Sequence, residues 1–318
     1  MKLHVVYRST GKEGTKARPA FYSKLLCLLS LLMAIGTSET PIDVAFLNDP
    51  PIPEERLTLM RATGRVVSIP PIAEGLSSKV LSHQTAGSTD LTHSYLAALD
   101  LVDALGWPDD DVVYFVEDDY IHQPQALNCL IEGACTLREA SYLALYASID
   151  WLRTVPYRAG GYSWYTVHST TSTFAARIGA LRADKWIHRL GFFAGGTADR
   201  DICLTYQGVR PFRWTYLLGD LLGNAPGHPG TAAGRVKRAG LQTAMNVLAV
   251  KSAFRRRVLI CPDPPLATHL EIPYLAPGVD WNAVAGETLA WARKQGLPLP
   301  WPTGTSGAGM APEGRSAA

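Results

Sequence analysis

The chain has 318 residues, 47% hydrophobic and 18% charged, enough for one large α/β core and too apolar for a disordered protein. A formal net charge of +2 supplies no global attraction to nucleic acid, which is excluded as the expected partner. Cys27, Cys129, Cys135, Cys203 and Cys261 are odd in number and lack CxxC spacing, so they read as small buried hydrophobes in a reducing compartment, and the protein as cytoplasmic.

Strand-like runs recur at 3–7 (LHVVY), 42–47 (IDVAFL), 65–69 (RVVSI) and 112–116 (VVYFV). Helical segments separate them, which predicts βαβ units and a mostly parallel sheet. The first helix is expected over Pro19 to Ile35, closed by Gly36. Its run Leu25 to Ile35 follows Lys16, Arg18 and Lys24 like a targeting segment, but it is too short to span a bilayer, and a strand already precedes it. A second helix is expected from Pro53 to Ala62, before Gly64, and a third from Asp90 to Leu105, ended by Gly106-Trp107-Pro108. After the fourth strand come a helix over Gln125 to Ala140, a strand over Tyr142 to Tyr146, and one or two threonine- and tyrosine-rich strands within 162–176. Ala232 to Ala253 reads as a basic helix, and 302–318, rich in Gly, Pro, Ser and Ala, as a disordered tail.

The fourth strand stops at three consecutive carboxylates, Glu117, Asp118 and Asp119, where open α/β sheets place their ligands. Crowded carboxylates repel, and a hard divalent cation such as Mg²⁺ or Mn²⁺ relieves that repulsion while taking phosphate oxygens as further ligands. A solvated acidic turn is the alternative. The spacing resembles the DXD region of GT-A glycosyltransferases: Glu117 and Asp119 hold the acidic positions, and Pro124 with Leu127 stands where the family has its helix-opening Pro-x-x-Leu. KARPAFYSK near the N-terminus, VYFVEDDY, HSTTSTFAAR and a late ATHLE also look like a group of bacterial GT-A enzymes, over most of residues 3–282. The resemblance implies one GT-A-like, Rossmann-like α/β domain over 1–301, with a mostly parallel central sheet flanked by helices. A nucleotide-sugar-binding half would occupy 1–140 and a less regular acceptor half 141–301.

The donor implied is a nucleoside diphosphate sugar, a UDP-sugar ahead of a GDP-sugar, and the acceptor an unidentified hydroxyl. Asp119, His269 and Asp118 form the expected metal set, with Glu271 orienting His269. Arg8 at the end of the first strand stacks on a base or holds a phosphate, or is a loop arginine in solvent. Asp49 in LNDPP reads a base imino group, or makes an Asp-Pro turn. Lys24, Glu117, Asp118 and Thr171 join the donor set. Gly87-Ser88 brings backbone to sugar or ribose, or the helix behind it is simply well capped. His168, Thr170, Thr171 and Thr173 face sugar or acceptor, or belong to a threonine-rich strand.

In TADRDICL the family's Glu-Asp pair reads Ala198-Asp199, so its first acid is missing. Asp199 is the expected general base of an inverting transfer and Asp201 its substitute; either is also a plain helix cap. The competing classes are a metal-dependent nucleotidyltransferase acting on sugar phosphates, disfavoured because STGKEGTK lacks P-loop spacing, and a non-catalytic carbohydrate-binding protein. Seven cations within 235–257 dock a phosphorylated acceptor or an anionic membrane surface, or form a solvated face. The oligomeric state is not fixed by the sequence.

Overall fold

The computed structural model describes residues 1–12, 14, 16–69, 88–147, 155–194, 198–209, 218–219, 221–222 and 231–300; side chains at 88–92, 192–194 and 198 are outside that description. Strand β1 (Leu3–Thr10) is parallel to β2 (Asp43–Asp49) and to β4 (Val112–Glu117), and β3 (Arg65–Ser68) continues the sheet beyond β2. The middles of β1, β2 and β4 read as apolar runs because both faces are covered, while β3 at the edge is half-buried. Residues alternate accordingly: Val5, Tyr7, Tyr114 and Val116 pack into one core, and Val6, Val113 and Phe115 into the other.

The second half reverses direction. β9 (Phe174–Arg177) inserts antiparallel between β4 and β6 (Ala140–Leu143). β10 (Val258–Asp263) runs parallel to β6 and antiparallel to β8 (Tyr162–Thr166), and β7 (Pro156–Ala159) forms the edge. The order β3-β2-β1-β4-β9-β6-β10-β8-β7 leaves only β8 and β9 opposed to the rest, so the expected mostly parallel, Rossmann-like sheet is present and both halves of the chain share it. A short antiparallel pair, β5 (Tyr120–His122) with β11 (Ala267–His269), sits apart.

Helix α1 (Lys24–Gly36) opens five residues later than the sequence suggested. A turn at Pro19 to Tyr22 precedes it, and Ser23 caps it by accepting from the Leu26 amide at 2.9 Å. Its residues from Lys24 to Ala34 are all buried, because α1 packs against β5 on one side and α8 (Trp281–Lys294) on another. That enclosure accounts for the apolar run, and no helix among the described residues is long and apolar enough to cross a membrane. α2 (Glu54–Thr63) and α3 (Ser88–Ala104) fall where expected to within two residues.

α4 (Ala126–Thr136) ends earlier than expected, since Ala140 is drawn into β6 opposite Val258, and the strand foreseen over 142–146 is shifted back to 140–143. Within 162–176, the Thr/Ser stretch 167–173 is a loop between β8 and β9; its hydroxyls make side-chain bonds instead of a ladder. α5 (Ile178–Ala194), α6 (Ala198–Tyr206) and α7 (Ala232–Ala253) cover the second face, α7 matching its sequence boundaries. All five cysteines are free and only Cys135 is exposed. The tail 302–318 lies outside the described residues.

Two glycines separate packing from propensity. A Cβ on Gly133 in α4 would stand 2.6 Å from the fully buried Trp164 ring, whereas one on Gly240 in α7 would meet nothing within 4 Å. Alanine gains roughly 1 kcal/mol in a helix interior, and forcing a packed core costs about 1–3 kcal/mol. Gly240→Ala should therefore raise the melting temperature and Gly133→Ala lower it; a rise in both would show that Trp164 moves freely.

Candidate functional site

The parallel register fixes what meets at the carboxyl ends of the strands. Arg8 lies level with Glu117 and Thr10 with Asp49. One step beyond β4, Asp118 turns beneath β1. Its Oδ2 accepts from the Thr10 amide (2.8 Å) and Ser9 Oγ (3.1 Å), with Lys24 Nζ at 3.1 Å and Arg56 Nη1 at 3.4 Å. Lys24 gives its other protons to the carbonyls of Thr10 and Lys12. Both side chains are buried, and burial pushes the Asp118 carboxyl up against the pull of Lys24 and the Thr10 amide. Lys24 and Asp118, expected beside the donor, thus bind the β1–α1 loop to the sheet.

Asp119 faces the other way. The β5–β11 pairing sets Tyr120 opposite His269, and His269 Nε2 lies 2.8 Å from Asp119 Oδ2. Arg18 Nη2 holds the same oxygen at 2.9 Å while its Nη1 donates to the Leu270 carbonyl. Lys16 Nζ stands 3.5 Å from Asp119 and 3.5 Å from Glu271, and Glu271 is 3.7 Å from His269 Nδ1, beyond hydrogen-bond distance. Burial alone would raise the Asp119 carboxyl, but His269, Lys16 and Arg18 together hold it well below the usual carboxylate range. Its Oδ1 is buried without a partner. Among the described residues no three His, Cys, Asp or Glu side chains gather as metal ligands, so Asp119 and His269 stand as a pair.

Arg8 is buried, with Nη2 2.8 Å from Glu117 Oε1, Nη1 3.3 Å from Ser94 Oγ, and its guanidinium over the Tyr95 ring. Asp49 is partly open, between Thr10 Oγ1 at 3.4 Å and Lys12 Nζ at 3.8 Å. Gly87 lies outside the described residues; Ser88 opens α3.

The threonine loop joins this edge to a second carboxylate. Thr171 Oγ1 is 2.6 Å from Tyr120 Oη, whose ring stacks on His269, and Ser172 Oγ donates to Asp199 Oδ1 at 3.2 Å. Thr170 and Thr173 turn inward, to the Thr173 carbonyl and the Glu117 amide. His168 is tied through its carbonyl to Gln207. Asp199, in the first turn of α6, borders a small cavity with Tyr95, Thr171, His188, Cys203 and Tyr206. Desolvation, then the nearby Glu117 charge, raises its carboxyl to about 6. Asp201, two residues on, is half-buried.

Sequence reading missed the cations that close on the acids, Lys16, Arg18 and Arg56. Only their positions just before α1 and inside α2 hinted at them. It also missed Ser172 and the buried relay Arg257–Asp184–Tyr142–His188–Tyr95 behind the cavity.

No family model and no curated protein matches the chain. Among solved structures it is similar to 4-diphosphocytidyl-2C-methyl-D-erythritol synthase, with TM-score 0.38 and 14% identity over 66% of this chain and 86% of that one. It is similar also to S. aureus TarS 1-349, with TM-score 0.38 and 13% identity over 77% and 71%, although it spans only 33% of the longer TarS chain. Glucosyl-3-phosphoglycerate synthase from Mycobacterium tuberculosis gives TM-score 0.26 and 16% identity over 45% and 43%. Overlaps this partial carry no argument about activity; the α/β class rests on the strand order.

Two outcomes follow from the charges. Lys24→Met leaves the buried Asp118 with Arg56 as its one remaining cation beside the Thr10 amide and Ser9 hydroxyl, and should cost about 3 kcal/mol in urea unfolding, far above the value of a surface pair. A loss under about 0.5 kcal/mol would refute the anchoring role. For Asp199, the raised folded value means that the proton is held more tightly in the folded state. Its stabilising contribution is complete below the unfolded carboxylate range and lost as pH rises through about 6. Asp199→Asn should therefore melt increasingly higher than the parent protein as pH rises from about 4 to about 6, with the difference levelling off above about pH 7, and a constant difference across that rise would contradict the shift.

Proposed function

We propose that the protein is a metal-dependent glycosyltransferase that moves a sugar from a nucleoside diphosphate sugar, a UDP-sugar before a GDP-sugar, to an acceptor hydroxyl. The observation that carries this reading is a pair of carboxylates driven in opposite directions: Asp119 is kept anionic among cations, and Asp199 is kept near 6 beside a cavity. An acid fixed as the anion suits a phosphate-bound cation, and one poised near neutrality suits proton transfer.

In this reading Asp119, through its buried and unpartnered Oδ1, and His269 would hold Mg²⁺ or Mn²⁺, which would supply charge neutralisation on the leaving diphosphate. Asp118 stands behind Asp119 in that set, since Lys24 and Arg56 hold its Oδ2. Arg18 presents a planar guanidinium suited to phosphate oxygens, and Lys16 adds a second cation. Arg8 and Glu117 form the ribose side, with Asp49 toward the base. Asp199, ionised above about 6, takes the acceptor proton as the hydroxyl attacks the anomeric carbon opposite the diphosphate, which inverts that centre. Ser172 orients its carboxylate.

The test is a thermal-shift screen of UDP-, GDP- and dTDP-sugars with and without Mn²⁺, followed by assay of the released product. One nucleotide sugar should raise the melting temperature in a Mn²⁺-dependent way, equivalent to about 2.7 kcal/mol at a hundredfold excess over Kd. Asp119→Asn should abolish the Mn²⁺ dependence, whereas Asp199→Asn should keep donor binding and lose transfer. Loss of donor binding in Asp199→Asn would remove its role as base, and release of pyrophosphate in place of nucleoside diphosphate would overturn the reaction class.

A further inference from the structure

Helix α7 shows an apolar line to solvent. Val236, Val247, Val250 and Phe254 are 68%, 63%, 66% and 88% exposed, the last at the helix cap. With the exposed Gly240 and Thr243 they recur at spacings of three, four and seven, so they form one stripe, about 27 Å long at 1.5 Å per residue. No charge interrupts it. The opposite side holds the helix to the protein body: Met245 and Ala249 are buried, and α7 packs on α5 and α6. The exposed valines are therefore not core residues left over from a loose helix.

The charge that α7 itself carries is of one sign. Lys237, Lys251 and Arg255 are exposed along one flank and Arg256 follows the cap, while no Asp or Glu occurs in the sequence between Asp220 and Asp263. Arg257 is turned back into the protein, onto Asp184 at 2.9 Å. A straight, charge-free line of valines and Phe254 with cations alongside matches a flat anionic surface that accepts side chains to a shallow depth. A soluble acidic partner would satisfy the lysines but would leave a line of four large apolar groups to be matched separately.

We propose that α7 docks this protein in the plane of an anionic lipid bilayer, with Val236, Val247, Val250 and Phe254 inserted and Lys237, Lys251, Arg255 and Arg256 at the headgroups. The inference is independent of the reaction assigned to the site.

Co-sedimentation of the full chain with phosphatidylcholine vesicles, with and without phosphatidylglycerol, tests it. The protein should pellet with the anionic vesicles and stay in solution with the neutral ones. Lys237→Glu with Lys251→Glu should weaken binding on the order of tenfold or more, and Val247→Asp with Phe254→Asp should abolish it, both with unchanged melting temperature because these side chains are exposed. Equal binding to neutral vesicles, no binding to anionic ones, or binding indifferent to both variants would overturn the proposal. A concentration-dependent dimer in sedimentation velocity that Val247→Asp dissolves, without vesicle binding, would reassign the stripe to a second copy of the chain.

Discussion

Parallel pairing of β1 with β4 is the constraint on which the rest depends, because it brings the ends of two distant segments level and obliges their polar groups to find partners. Thr10 and Ser9 at the end of β1 meet Asp118 just past β4, and Lys24 and Arg56 close on the same oxygen from α1 and α2. Four elements are thereby tied to one buried carboxylate. A charge so placed is costly if any partner is lost, which makes the edge rigid. On that fixed edge Asp119 and Glu117 can be aimed elsewhere.

The three acids therefore do three different things, decided by direction and not by identity. Asp118 anchors, Asp119 is held anionic by Arg18, Lys16 and His269, and Glu117 pairs with Arg8. Glu117 also acts at a distance, because its charge adds to desolvation in lifting Asp199 toward neutrality. The threonine loop supplies the mechanical counterpart, linking His269 through Tyr120 and Thr171 to the strip that carries Ser172. The Glu117–His269 side and Asp199 are thus coupled both electrostatically and through contact. The outer face of α7, on the far side of α6 from these contacts in sequence, supplies a separate surface chemistry.

Much of the scaffold was legible in the residues. β1, β2, β3 and β4 announce themselves as short apolar runs between helical segments, and α7 by its periodicity. The misplacements after β4 share one cause: local pattern does not contain the partner strand. Ala140 belongs to β6 because Val258 lies opposite it, and the Thr/Ser stretch 167–173 is a loop because its hydroxyls are satisfied by side-chain bonds and not by a ladder. The antiparallel insertion of β9 was invisible for the same reason.

The sequence by itself determined the α/β class, the acid-tipped strand, and a late histidine and a helix-start aspartate worth watching, since each follows from the order of residue types along the chain. It also determined the basic, acid-free character of α7. Only the tertiary structure decided that Asp118 faces inward, that Arg18 and Lys16 surround Asp119, that burial beside Glu117 raises Asp199, and that Val236, Val247, Val250 and Phe254 face solvent. Those outcomes depend on direction, desolvation and the sum of charges converging from distant segments, quantities that a linear order of residues does not carry.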